Sequence, residues 1–279
     1  MKLILGDNQF FGINHFDLEK GAAIKEVFDN PSKISAFIRE ALSAGMDGFM
    51  MNSNDDGYEI ISKEKFDSDK EIHYSIPYAH KYANMVNEDG MMSLLSHIMK
   101  NTSMVSNIKG GLKLLSKRDM VHLVPLAVDL EVPKELPKGS FVYLQNIITD
   151  LIIGLGRYDL IAKFIESTRM KGYRPGLVTL NPIILDKVLR ESKTATRDVV
   201  MCFNINDAGF NVFPSKNEVA TFARSNTPYR KMGMSIFASG AGNIPKSIEY
   251  IKYLDLDYAV FGTSRMVNLR RNLSAFSED

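Results

Sequence analysis

Short apolar runs alternate with segments of helical spacing along the whole chain, joined by polar or glycine-rich turns, and few folds accept such a pattern. The runs predict strands at Lys2–Leu5, Asp47–Met51, Ile72–Ile76, Val121–Val128, Gly176–Leu180, Asp198–Phe203, Met234–Ala238 and Tyr258–Phe261. Several are apolar at consecutive positions, as strands covered on both faces must be. Between them, Ile34, Phe37, Ile38, Ala41 and Leu42 share one helix face behind a Ser32 cap. Ser215-x-x-Glu218 forms a capping box, Asn243 caps the next helix ahead of Pro245, and Ser264 caps the last. Eight strand–helix units in one chain predict a (β/α)8 TIM barrel spanning residues 1–279 as a single domain. No Gly-x-Gly-x-x-Gly follows the first strand, which sets the doubly wound open sheet aside.

Three intervals exceed plain connections: 7–31, 78–118 and 129–157, read as insertions after strands one, three and four. Composition narrows the partners. With 34 basic and 33 acidic residues, no global field favours nucleic acid or an anionic membrane surface. No apolar run is long enough to span a bilayer, and one cysteine forms no internal disulfide, so a cytoplasmic protein is expected. Cys202, inside strand six, reads as an inert buried thiol. The five histidines are scattered without a metal-ligand spacing, so no metal is expected.

In such a barrel the reacting groups lie where strands end and helices begin. That rule selects Asp7, Asp55, Tyr58, His80 and Asp129 as candidates for moving protons, His80 having the best intrinsic pKa. It also selects Asn8, Asn52, Asn181, Asn204 and Asn206, whose amides both donate and accept and so suit hydroxyl or carbonyl recognition. The alternative for each is an ordinary turn or cap residue. Near the end, Ser239-Gly240-Ala241-Gly242 and Thr263-Ser264-Arg265 form two small-residue joints at helix starts. Exposed amides there, with the helix N-terminus and Arg265, predict a site for a phosphate or another anion.

The stretch from about Asp159 to Asn272 resembles the aldo-keto reductase superfamily. Gly176-Leu-Val-Thr-Leu-Asn181 stands at that family's Gly-x-Ser-Asn strand ending, and Val200-Met-Cys-Phe-Asn204-Ile-Asn206 resembles its strand-six segment. Ile236-Phe-Ala-Ser239-Gly-Ala-Gly242 sits at its Ser-Pro-Leu-Gly-type turn. Phe261-Gly-Thr-Ser264-Arg through Asn272-Leu resembles the strand and helix that hold the adenosine phosphate. At the N-terminus, Leu5-Gly6 and Gln9-Phe-Phe-Gly12 loosely resemble its opening segment. The resemblance implies a barrel, NADP and carbonyl reduction by an Asp, Tyr, Lys and His set. Asn52-Ser-Asn-Asp55-Asp56-Gly-Tyr58 offers the first pair with altered spacing, but His73-Tyr-Ser-Ile-Pro77 has no lysine and Val124–Val128 no histidine.

Three readings follow. The first is a barrel enzyme for a small phosphorylated molecule or phosphate-containing cofactor. The second is an NADP-dependent reductase with a rearranged proton donor. The third is a non-catalytic barrel for ligand sensing or assembly.

Overall fold

The computed structural model describes residues 1–12, 18–77, 120–192 and 194–278. Its core is a closed, all-parallel barrel of eight strands in sequence order. These are β1 (Lys2–Leu5), β2 (Gly48–Asn52), β3 (Glu71–Ile76), β4 (Phe141–Leu144), β5 (Arg174–Thr179), β6 (Val200–Asn204), β7 (Arg230–Met234) and β8 (Tyr258–Phe261). The helices are α1 (Leu18–Val27), α2 (Pro31–Ser43), α3 (Asp55–Lys63), α4 (Met120–Glu131), α5 (Asn146–Gly154), α6 (Tyr158–Met170), α7 (Pro182–Glu191), α8 (Lys216–Ala223), α9 (Ile244–Lys252) and α10 (Met266–Ser277). Short 3-10 turns lie at Asn8–Phe11 and Ala238–Gly240. Among the described residues no helix is long and apolar enough to cross a membrane.

Six strands fall within about two residues of their predicted positions, and two do not. The apolar run Val121–Val128 is helix, not strand: it lies in α4, which keeps Pro125 in its interior and packs on α6. A continuous apolar run fits a buried helix as well as a buried strand, and periodicity cannot separate them. The fourth strand is Phe141–Leu144, so the interval 129–157 is not a loop after strand four but contains that strand. Strand seven ends at Met234. Ser235 and Ala238 adopt positive φ of 55° and 47°, which turns the chain out of the sheet and sends Ile236 and Phe237 into the outer core.

Caps differ in two places. Asn30, not Ser32, caps α2 by accepting from Lys33 N–H at 3.1 Å. The residue before α10 is Arg265 rather than Ser264, and no side chain caps that helix. Asn243 and Ser215 cap α9 and α8 as expected.

The strand registers fix what fills the barrel. Stepping up one residue per strand, as the shear of such a barrel requires, sorts inward side chains into layers of four from alternate strands. Lys2, Glu71, Arg174 and Arg230 form the floor at the N-terminal end. Ile4, His73, Gly176 and Met232, then Met50, Tyr143, Cys202 and Val260, fill the middle. Gly176 has no side chain because the ring of Tyr143 occupies that volume. Tyr143 is fixed there by its hydroxyl, 2.8 Å from Nδ1 of His73, whose own ring stacks on Phe141 at 4.5 Å. The second core lies between sheet and helices and gathers residues such as Ile34, Ile38, Phe164, Leu185 and Ile248.

Candidate active site

The uppermost inward layer is set by the ends of the even strands: Asn52, Gln145, Asn204 and Gly262. Three of the four are amides. The fourth corner, over Gly262, is filled by Gln9 from the turn after β1, whose amide oxygen occupies the volume a Cβ on Gly262 would need. Gln9 Nε2 donates to the carbonyl of Gly6 at 2.6 Å, which holds the side chain in place, and its Oε1 is buried without a partner. The mouth is therefore ringed by four amides, one of them from a loop.

Asp7 completes this rim. It is buried, at 4% exposure, and its carboxylate accepts from Asn52 N–H at 2.7 Å and Asn52 Nδ2 at 2.8 Å. Asn52 Oδ1 in turn accepts from Gln145 Nε2 at 2.7 Å. A hydrogen-bonded chain thus runs from β4 through β2 to β1. Burial outweighs those hydrogen bonds and pushes the Asp7 carboxyl up to about 6, close to neutral pH. A carboxyl so tuned exchanges protons near neutrality, which an ordinary surface aspartate does not.

The other expected residues are dispersed. Asn204 is 6% exposed, faces the mouth, and its amide has no hydrogen-bond partner among the described residues. Asn181 is spent on capping α7, accepting from Ile184 N–H at 3.2 Å. Asn206 closes its own loop, with both amide atoms on the backbone of Phe210 at 2.8 Å. Asn8 is exposed at the start of its turn. Asp55 lies exposed in the first turn of α3, where a carboxylate complements the helix dipole, and Tyr58 follows on the same helix at 43% exposure. His80 lies outside the described residues. Asp129 is not at a strand end: with its supposed strand a helix, it is exposed near the end of α4, paired with Lys171 just before β5.

Gln145 is not among the sequence expectations, because strand four begins twenty residues after its expected start. Nor is Gln9, which no local pattern marks. Behind the rim, Ser53 Oγ donates to the buried Glu131 at 2.7 Å and anchors the chain next to Asn52. Ser75 is the inward residue near the end of β3 and Gln145 the one after β4, so neither a lysine nor a histidine occupies those positions. Among the described residues no three His, Cys, Asp or Glu side chains gather as a metal site.

The two C-terminal joints leave adjacent strands, and beneath them the rings of Phe237 and Phe261 meet edge to face at 5.2 Å. Ser239 and Gly240 adopt φ of 54° and 88°, and the space above Gly240 is open. Gly242 is closely backed by Ser247, whose hydroxyl donates to Asp207 at 2.7 Å. On the other side Thr263 Oγ1 accepts from Arg265 N–H at 3.4 Å, and Ser264 and Arg265 stand half-buried and exposed at the uncapped start of α10.

Replacing Gly262 by alanine should expel the Gln9 amide from the rim. The obstacle is the end of a flexible side chain, so the expected cost in unfolding free energy is about 1 kcal/mol or less. Thermal unfolding and the NMR shift of the Gln9 side-chain amide check both halves.

The molecule is thus a (β/α)8 barrel whose C-terminal mouth presents a ring of amides and one buried, near-neutral carboxyl. Solved structures with the same fold include proteins described as aldo-keto reductases. Two are from Pseudomonas aeruginosa and carry a provisional assignment to that family. They superpose with TM-scores of 0.60 and 0.59 at 14% identity, covering 98% and 99% of this chain and 88% of theirs. An aldo-keto reductase from Bacillus halodurans, in its holo form, gives 0.57 at 11% identity over 100% of this chain and 87% of its own. No protein-family model and no curated protein matches the chain.

Proposed function

We propose that the chain is an oxidoreductase of the aldo-keto reductase kind, interconverting a carbonyl and a hydroxyl at the barrel mouth, with Asp7 as the proton-transfer group. The observation that carries it is the Asp7–Asn52–Gln145 chain set into the rim of a barrel shared, nearly end to end, with that family.

A nicotinamide nucleotide with a phosphate-bearing adenosine end fits the residues present. The start of α10 offers first-turn amides with no side-chain cap, Arg265 is exposed beside them, and the space over Gly240 is open. On the same helix, Asn272 is buried with its Oδ1 unpartnered. Ser239, Gly240, Ala241, Gly242, Thr263, Ser264 and Arg265 would hold that end, and Asn204 the end nearer the rim. When bound, the reduced nicotinamide supplies a hydride to the carbonyl carbon.

Protonated Asp7 gives its proton to the carbonyl oxygen as the alcohol forms, and takes it back in the reverse direction. Asn52 stabilises the carboxylate left behind through its N–H and Nδ2, and Gln145 keeps the Asn52 amide turned the right way. This arrangement replaces the lysine- and histidine-supported phenol that the family resemblance implied. The lone cysteine, Cys202, is buried within the barrel and supports a reducing, cytoplasmic setting.

Titration with NADPH, followed by nicotinamide fluorescence, tests the reading. Saturable binding weakened about tenfold by Arg265→Gln is expected, one lost charge-assisted contact being worth about that much. No binding at millimolar NADPH would remove the nucleotide. Binding of a simple phosphate ester at the same joints would then favour the second reading, a barrel enzyme for a small phosphorylated molecule.

A further inference from the structure

The opposite end of the barrel carries an unbalanced charge. Its floor layer holds three cations, Lys2, Arg174 and Arg230, and one carboxylate, Glu71. Lys2 Nζ donates to Glu71 at 2.8 Å, and Arg174 lies 3.9 Å from the same carboxylate. Arg230 donates to the Tyr258 hydroxyl at 2.8 Å, yet forms no ion pair among the described residues. Both guanidinium groups stand over the ring of Phe141, 4.8 and 5.4 Å from its centre. Like charges drawn to one ring, partly out of water, repel unless an anion joins them.

A separate observation shows where one would sit. A cavity of about 260 Å³ opens beside the floor, lined by Arg197, Ser225, Arg230, Lys231, Asp255 and Asp257 among others. Of its two carboxylates, Asp255 lies 3.7 Å from the Lys231 ammonium, and Asp257 accepts from Lys231 N–H at 2.8 Å and keeps its charge. That ammonium also donates to the carbonyls of Ala223 and Ser225. Nearby Asp198 is paired with Arg169 and lies within the field of Arg230, short of ion-pair distance. Arg197 and Arg230 remain as cations without an ion pair among the described residues, on a cavity several times the size of a phosphate.

We propose that this N-terminal face is a second ligand site, remote from the mouth, that takes a small oxyanion of the phosphate type, free or as a monoester. Arg230 and Arg197 would grip it, guanidinium groups matching phosphate oxygens in pairs. Lys2 and Arg174 contribute field rather than contact.

Isothermal titration with inorganic phosphate, chloride holding the ionic strength constant, tests this on the full chain. Saturable binding is expected, weakened at least tenfold by Arg230→Gln and several-fold by Arg197→Gln, and unchanged by Lys187→Gln on the exposed face of α7. Glycerol phosphate binding more tightly than phosphate, with the same variant pattern, would identify a monoester as the source. Should Arg230→Gln fail to fold, amide NMR on the parent protein decides: phosphate must shift Ser225–Lys231. Heats equal to those of added chloride, an unaffected Arg230→Gln, loss confined to Arg265→Gln, or shifts confined to Gly240–Arg265 would each overturn the site.

Discussion

Asp7→Asn should cut turnover by about 10²–10⁴-fold, the range over which a positioned acid or base accelerates a reaction. It should also alter how stability depends on pH. Burial raises the Asp7 carboxyl from 3.8 to about 6, so the fold favours its protonated form. Its contribution is fully present below 3.8 and is lost as pH rises through about 6, amounting to about 3 kcal/mol. An asparagine does not titrate, so that dependence disappears. The difference between parent and variant is the quantity to measure, because His73 acts in the opposite sense. Burial lowers His73 from 6.5, so its contribution is complete above 6.5 and lost as pH falls through the folded value. Glu71, held down to about 2 against the effect of burial by hydrogen bonds from His73 and Lys2, begins to lose its contribution below 4.5 as pH falls towards 2, and cancels in the same difference. Denaturant unfolding between pH 4 and 8 gives the difference curve. A flat difference with full turnover would show Asp7 to be only a strand latch.

The second large effect is structural. Gly176→Ala puts a methyl group into the ring of Tyr143 at the centre of the barrel. The ring has nowhere to go: Tyr143 is fully buried and its hydroxyl is tied to His73 at 2.8 Å. Overpacking at such a site costs about 3 kcal/mol, the upper end for one inserted carbon. The paired change Gly176→Ala with Tyr143→Ala removes the clash, so the two substitutions should be strongly non-additive in denaturant unfolding. Simple additivity would mean that the ring can leave that volume.

Both effects depend on layers that the sequence reveals only in part. Lys2–Leu5 and Tyr258–Phe261 are strands with the predicted bounds, because each is a short apolar run between clear breaks. Val121–Val128 carries the same composition and is helix, since its length and neighbours, not its residues, decide the matter. That one displacement placed Asp129 at the mouth and hid Gln145. Asp7 and Asn52 were legible because they follow their strands directly. Their mutual hydrogen bond was not, because it depends on a register linking positions 45 residues apart. Asn181, Asn204 and Asn206 share one residue type and one kind of location. Only Asn204 is left with its amide uncommitted, and composition cannot distinguish it from the two that serve the backbone.

One corner of the rim is built differently from the rest. Three of its amides are built into strands or their immediate ends, where exchange disturbs neighbouring ladders. The fourth arrives on the short turn Asn8–Phe11, braced only against Gly6 and Gly262. A change of residue at Gln9 can therefore retune what the mouth admits while leaving the barrel walls untouched, which makes that turn the natural starting point for redesigning selectivity.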